Sequence, residues 1–224
     1  MPRPPLAARL AIAVAVSSLD AGLLALALGG IRQFIAHPQA VALAVVWALL
    51  GLLLAALQPV RSSDAVAADR DAPWRFALLG LLPFLIPPLS ALADARGWMP
   101  LPFGAGLRWA GVSLAALGFT LRVSAIARLG SRFAPEAVVQ RDHQIETHGP
   151  YRVIRHPGYL GAWLTALGGL MAFASSLAMP LLVLFAWLLA TRARTEDALL
   201  ERHFGETFRA YRDRTGAFLP RLGR

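Results

Sequence analysis

The chain contains no cysteine. That absence excludes disulfides, a thiolate nucleophile and a cysteine-ligated metal. Charge is also scarce: 16% of the 224 residues are charged, against roughly 25% in a soluble domain. Lysine is missing altogether, so all 22 basic residues are arginine. The five histidines (37, 143, 148, 156 and 203) include no His-x-x-x-His pair, which argues against a metal site. Internal repeats and low-complexity linkers are lacking too, and without an inverted repeat a transporter has no support.

Apolar sequence fills the space these absences leave. Hydrophobic residues make up 57% of the chain and the mean hydropathy is +0.55. Apolar segments fall at about 6–28, 40–58, 74–93, 107–129, 158–174 and 177–191, several of them near the ~20 residues that span a hydrocarbon core. The first is longer than the apolar region of a signal peptide and reads as a retained helix. The expected fold is therefore an all-α integral membrane protein of about six transmembrane segments. The last two are short and form a helical hairpin with Ser175, Ser176 and Pro180 at their junction. From Thr195 to about Thr215, Leu199, Leu200, Phe204, Phe208 and Tyr211 recur at helical spacing and predict an amphipathic cytoplasmic helix. Pro83, Pro87 and Pro88 should kink the third segment.

Arginine sets the orientation. The N-terminus, the second and fourth connections and the C-terminal tail hold eighteen arginines, whereas the opposite side holds only Arg32, Arg96 and Arg108. That asymmetry puts both termini in the cytoplasm, in a bacterial inner membrane. It also assigns the net charge of +9 to topology and to the lipid bilayer as partner, not to nucleic acid.

Polar residues that need a reason gather on the cytoplasmic side. The run from Gly149 to Gly161 puts Tyr151, Arg155, His156 and Tyr159 immediately ahead of a hydrophobic segment. Such groups at a membrane edge are expensive unless a ligand, partner or water satisfies them. Pro157 suits a first helical turn, and the free amides there, with Gly158 and Gly161, admit a ligand close to the backbone. Arg192 with Glu196 and Asp197 ends the sixth segment; Arg192 and Glu196 share a face and read first as an intrahelical pair. Arg122 lies about two turns inside the fourth segment, where it either snorkels or serves a site. Asp20 is solitary and reads as structural, and His143 and His148 read as solvated loop residues.

The ordered combination resembles the isoprenylcysteine carboxyl methyltransferase family, part of a wider group of membrane methyltransferases acting on phospholipids and small thiols. Its pieces are GPYRVIRHPGYLG at 149–161, then Arg192-x-x-x-Glu196-Asp197-x-x-Leu200-x-x-x-Phe204-Gly205, then Phe208 and Tyr211. Upstream, Leu121-Arg122, Gly130-Ser131-x-Phe133 and His143 extend it, so that it covers about residues 121–220. Residues 107–224 then form the methyltransferase-like core, while 1–106 match no family. The resemblance implies a cytosolic pocket for S-adenosylmethionine, with Tyr151, Arg155, His156, Pro157, Tyr159, Gly161 and Glu196 on the cofactor side. It implies that Arg122, Arg192 and Asp197 serve as the catalytic set facing the acceptor head group, with no metal. The chain departs from the family at Asp197, where a second glutamate is usual, and at Phe208, where tyrosine is common.

The residue types suit that chemistry. Methyl transfer from a sulfonium is an in-line displacement, and a carboxylate acceptor is already ionised, so orientation replaces a general base. An arginine fork holds such a carboxylate in a fixed geometry. The implied acceptor is a lipophilic small molecule or a prenylated chain that arrives laterally. A second reading is an NADPH-dependent membrane reductase: sterol reductases carry a similar Arg-His-x-x-Tyr-x-Gly stretch, although Glu196-Asp197 and Phe204-Gly205 favour methyl transfer. A third reading, a scaffold without a cofactor, leaves the polar cluster without purpose.

Overall fold

The structure, a computed structural model, describes residues 5–57, 65–69, 73–130, 137–140 and 144–221. Among the described residues, eight α-helices follow in order: α1 (Leu6–Leu28), α2 (Ile31–Ala36), α3 (Pro38–Leu57), α4 (Pro73–Ala95), α5 (Gly104–Leu129), α6 (Pro157–Ala172), α7 (Met179–Phe204) and α8 (Glu206–Arg214). Four of them, α1, α3, α4 and α5, are long and apolar enough to cross a membrane. Their outward faces are leucine- and isoleucine-rich, with Ile12, Leu26, Leu49 and Leu117 all exposed, the inside-out pattern of chains solvated by lipid.

The all-α expectation needs one amendment. Strands β1 (Ala65–Asp69) and β2 (Ala137–Gln140) pair antiparallel, with Asp69 opposite Ala137 and a register irregularity between Ala65 and Ala67. This ribbon lies against α7 and ties the second connection to the fourth at one end of the bundle. At the other end the α6–α7 turn is clasped to the α4–α5 loop. Leu101 N donates to Ala174 O (2.7 Å), Ser176 N to Met99 O (3.0 Å) and Ser175 Oγ to Trp98 O (3.0 Å).

Small residues set the closest helix crossing. α5 lies along α6 with Gly111, Ala115 and Gly118 facing Gly161, Thr165 and Gly168. A Cβ on Gly111 would stand 2.5 Å from Ala172 N, and one on Gly161 2.5 Å from Gly118 O. In lipid, such close backbone approach replaces the hydrophobic drive that pairs helices in water. Beside this seam, Leu82 and Ile86 of α4 pack with Ala166 and Leu170 of α6 and with Leu182, Phe185 and Leu188 of α7.

Two expectations about boundaries change. The sixth segment does not stop before the tail: α7 continues through Arg192, Glu196 and Asp197 to Phe204. The chain offers no glycine or proline across that stretch, so the helix has no reason to end until Gly205, at φ 53°. The tail is therefore the second half of α7 followed by α8, not one helix from Thr195 to Thr215. Pro83, Pro87 and Pro88 lie inside an α4 that continues through them.

Candidate active site

The Arg-His segment is built as an extended strip entering a helix. A 3-10 turn over Gly149–Arg152 precedes it, with Gly149 at φ 58°. Tyr151 is buried and its hydroxyl donates to Ala125 O of α5 (3.4 Å). Residues beyond α8 then run parallel to the strip. Arg155 N donates to Gly216 O (2.8 Å), His156 N to Ala217 O (3.0 Å) and Gly216 N to Val153 O (3.3 Å). Gly216 has no room for a side chain, since a Cβ would collide with Leu219 O. Tyr211 of α8 donates its hydroxyl to Tyr151 O (2.8 Å), and Thr215 closes the turn by donating to Tyr211 O (2.7 Å).

His156 ends the strip as the residue before α6, and Pro157 takes the first helical position, where a missing N–H costs nothing. The imidazole is buried, stacked on Tyr159 (5.5 Å between centroids, 6° between planes) and flanked by Phe218 (5.8 Å). Its Nε2 lies 2.9 Å from Asp197 Oδ1, and its Nδ1 3.8 Å from Glu196 Oε2. Arg155 donates from Nη2 (3.0 Å) and Nε (3.2 Å) to Asp197 Oδ2, and from Nη1 to the carbonyls of Arg212 and Thr215 at the end of α8. The guanidinium thus latches α8 to α7. Tyr159 donates its hydroxyl to Glu196 Oε2 (2.7 Å) and accepts from Arg192 Nε (3.0 Å). Arg122, on α5, donates to Gly158 O (3.1 Å), close to the start of α6.

The electrostatics follow from these contacts. Asp197 lies beyond the apolar part of α7. Burial raises its pKa, but the hydrogen bonds and charges of His156 and Arg155 outweigh that and hold it below the ordinary carboxylate value. Burial pushes Tyr211 up to about 12 and Tyr151 higher still. Both hydroxyls therefore stay protonated and serve as donors.

Of the residues singled out in the sequence, the structure brings Arg155, His156, Tyr159, Arg192, Glu196 and Asp197 into one connected cluster, with Arg122 at its edge. Both oxygens of Asp197 are engaged by His156 and Arg155. Gly161 faces α5, and Tyr151 and Pro157 shape the backbone. His148 is exposed beside Glu146. Ser131, Phe133 and His143 lie outside the described residues. Sequence reasoning missed Thr215, Gly216 and Phe218, whose only signal was a glycine followed by an aromatic just past the amphipathic run. Of the three tyrosines of the chain, Tyr159 is part of this cluster and Tyr151 and Tyr211 hold the backbone beside it.

An apolar helical bundle with carboxylates, imidazole, guanidinia and phenols joined at one end defines a class, the integral membrane enzymes. The chain belongs to the isoprenylcysteine carboxyl methyltransferase (ICMT) family, whose pattern matches residues 111–202. It is 30% identical over 158 residues to the protein-S-isoprenylcysteine O-methyltransferase of Schizosaccharomyces pombe, a stretch covering 66% of this chain and 67% of that protein. It is 34% identical over 119 residues to the cobalt-zinc-cadmium resistance protein CzcN of Cupriavidus metallidurans, covering 51% of this chain and 55% of that protein. The fold is similar to a solved structure of the eukaryotic intramembrane Ras methyltransferase ICMT, with a TM-score of 0.60 at 21% identity over 94% of this chain and 77% of that one. Membership makes the protein a membrane methyltransferase and sets the reductase reading aside.

Proposed function

We propose that this protein transfers a methyl group from S-adenosylmethionine to a carboxylate on a lipophilic acceptor of isoprenylcysteine type, on the cytoplasmic side of the membrane. The observation that carries the reading is the single cluster formed by Arg155, His156 and Tyr159 from the strip and α6 with Arg192, Glu196 and Asp197 from α7. Its donor set suits a ligand that carries cationic, anionic and aromatic parts. Glu196 keeps a third of its side chain exposed and spends one oxygen on Tyr159. His156, Tyr159 and Phe218 offer ring faces.

His156, Tyr159 and Glu196 are the groups that would hold the cofactor, over a backbone shaped by Tyr151 and Pro157. When bound, S-adenosylmethionine supplies a methyl group activated by its sulfonium charge. Arg122 and Arg192 would orient the acceptor carboxylate, a placement that needs no base because the acceptor is already an anion. Asp197 fixes the His156 ring, and Arg155 keeps the α8 tail over the site. Both act as positioning residues rather than as ligand contacts.

Orientation and span count belong to this reading. The ribbon joins the second and fourth connections, both arginine-rich, at the end that carries the cluster. That supports six crossings with α6 and α7 as a hairpin, and both termini in the cytoplasm. The family match begins within α5, which supports residues 107–224 as the catalytic core and α1–α4 as the apolar wall around it.

The test is binding followed by transfer. Purified protein is titrated with S-adenosylhomocysteine and with NADPH, then incubated with methyl-labelled donor and either prenylcysteines or membrane lipid extract. Binding of the first nucleoside alone, with label recovered as an alkali-labile ester, is the expected result. Tight NADPH binding would remove the cofactor assignment, and alkali-stable label would remove the carboxylate.

A further inference from the structure

Arg75 stands in the first turn of α4, at the same end of the bundle as the active-site cluster. Its guanidinium carbon lies 5.2 Å from the ring centroid of Trp74 and 6.0 Å from that of Trp187 on α7. Its Nε is buried and has no hydrogen-bond partner. Several other arginines near the helix ends have carboxylates: Arg108 pairs with Asp94, Arg155 with Asp197, and Arg209 and Arg212 with Glu201, while among the described residues Arg96 lies over Trp98 alone. Among the described residues Arg75 has only the two indoles.

The contrast has a physical meaning. A ring face draws a cation but accepts no N–H hydrogen bond of ordinary strength, so the guanidinium keeps unspent donors and an uncompensated charge. At the edge of a bilayer that state is costly unless an anion meets it. Trp74 and Trp187 are each about half exposed, at 52% and 48%, as interfacial tryptophans are. The anionic oxygen acceptors available at that depth are phospholipid phosphates, and a guanidinium fork matches them. Further along the same two helices, Leu85, Pro88, Leu89 and Leu92 of α4 and Leu181 of α7, with Ala27 of α1, line an apolar crevice of about 290 Å³. Ten to seventeen residues of α4, or roughly 15–25 Å, separate Arg75 from the crevice, so that a long acyl chain descending from its headgroup would reach its near end.

We propose that Arg75, Trp74 and Trp187 form a headgroup site for an anionic phospholipid seated between α4 and α7. A zwitterionic lipid brings its own ammonium, for which the site offers no carboxylate among the described residues, and both indoles already lie against the guanidinium. The selectivity is therefore for net negative charge. The inference stands on this cluster alone and holds whatever the methyl acceptor is.

Native mass spectrometry of the full chain, in an equimolar mixture of phosphatidylglycerol and phosphatidylcholine, reads the selectivity directly. The wild type should carry phosphatidylglycerol in excess by about fivefold, the factor one interfacial arginine supplies, and R75Q should bring the two lipids near parity. Parity in the wild type, or an excess that survives R75Q, overturns the proposal. Displacement of the lipid by millimolar glycerol phosphate would assign the site to free phosphate instead, and overturn the lipid. If R75Q does not fold, brominated lipids decide on the wild type: tryptophan quenching by brominated phosphatidylglycerol should exceed that by brominated phosphatidylcholine, and equal quenching refutes the site.

Discussion

Two glycines three residues apart in the Arg-His segment should respond oppositely to the same substitution. A methyl group on Gly161 would stand 2.5 Å from Gly118 O, 2.7 Å from Arg122 N and 3.0 Å from Arg122 Cβ. Ordinary contact begins near 3.4 Å, so Gly161→Ala must push α6 away from α5 by about 0.9 Å. Every clashing atom is backbone or Cβ, and no rotamer change relieves it. Overpacking of this kind costs about 1–3 kcal/mol, or roughly 2–12 °C in Tm for a chain of this size. The retreat also stretches the 3.1 Å bond from Arg122 to Gly158 O. Gly158→Ala meets only Ala125 Cβ, at 3.8 Å, and removes a flexible residue from a helix. It should leave Tm unchanged or raise it, by up to about 1 kcal/mol of stability. Thermal scans of both variants in detergent, with S-adenosylhomocysteine titrated by calorimetry, separate packing from ligand contact. If Gly161→Ala kept the wild-type Tm but lost cofactor affinity tenfold, the glycine would belong to the pocket and the packing argument would be refuted.

Tyr159→Phe removes the hydroxyl that joins Arg192 to Glu196, and should weaken cofactor binding by about 1–2 kcal/mol. Unchanged affinity in the same titration would take Tyr159 out of the site. Arg122→Met should lower turnover of a carboxylate acceptor while cofactor affinity stays near wild type, and equal loss of both would make Arg122 purely structural. Asp197→Asn leaves Arg155 and His156 short of an acceptor, and should cost about 2 kcal/mol at neutral pH. Because the folded-state pKa of Asp197 lies below the reference value of 3.8, its contribution is complete above that pH and is lost as pH falls through the depressed value. The Tm of the wild type should therefore drop more steeply below pH 3.8 than that of the variant. Parallel profiles would refute the pairing.

What the sequence disclosed was pattern that stays local or keeps its order. The apolar runs foretold α1, α3, α4 and α5 within a few residues, and the ordered spacing from Arg155 to Asp197 foretold that α6 and α7 would share one cluster. The ribbon was not legible, because Ala65–Asp69 is mostly alanine and shows no apolar alternation; its partner lies some seventy residues away. The end of α7 was misread because its residues change from apolar to charged near Thr191, and a change of composition looks like a change of element although the backbone runs on. Gly161 was read as an opening for a ligand because a glycine's neighbours across a helix pair cannot be read from its own segment. The parallel pairing of Val153–His156 with Gly216 and Ala217 joins positions about sixty residues apart and has no signature at either end.

The placement of the tyrosines has a practical consequence. A chain of 224 residues has only three phenol rings, at 151, 159 and 211, and all three lie at the active-site end of the bundle. Growth on fluorotyrosine would give a fluorine spectrum of three lines with no background from the rest of the bundle. Ligand arrival, tail displacement and helix retreat would each be read from a different line of that spectrum: the ring at 159 faces the acids, that at 211 anchors the tail, and that at 151 rests on α5.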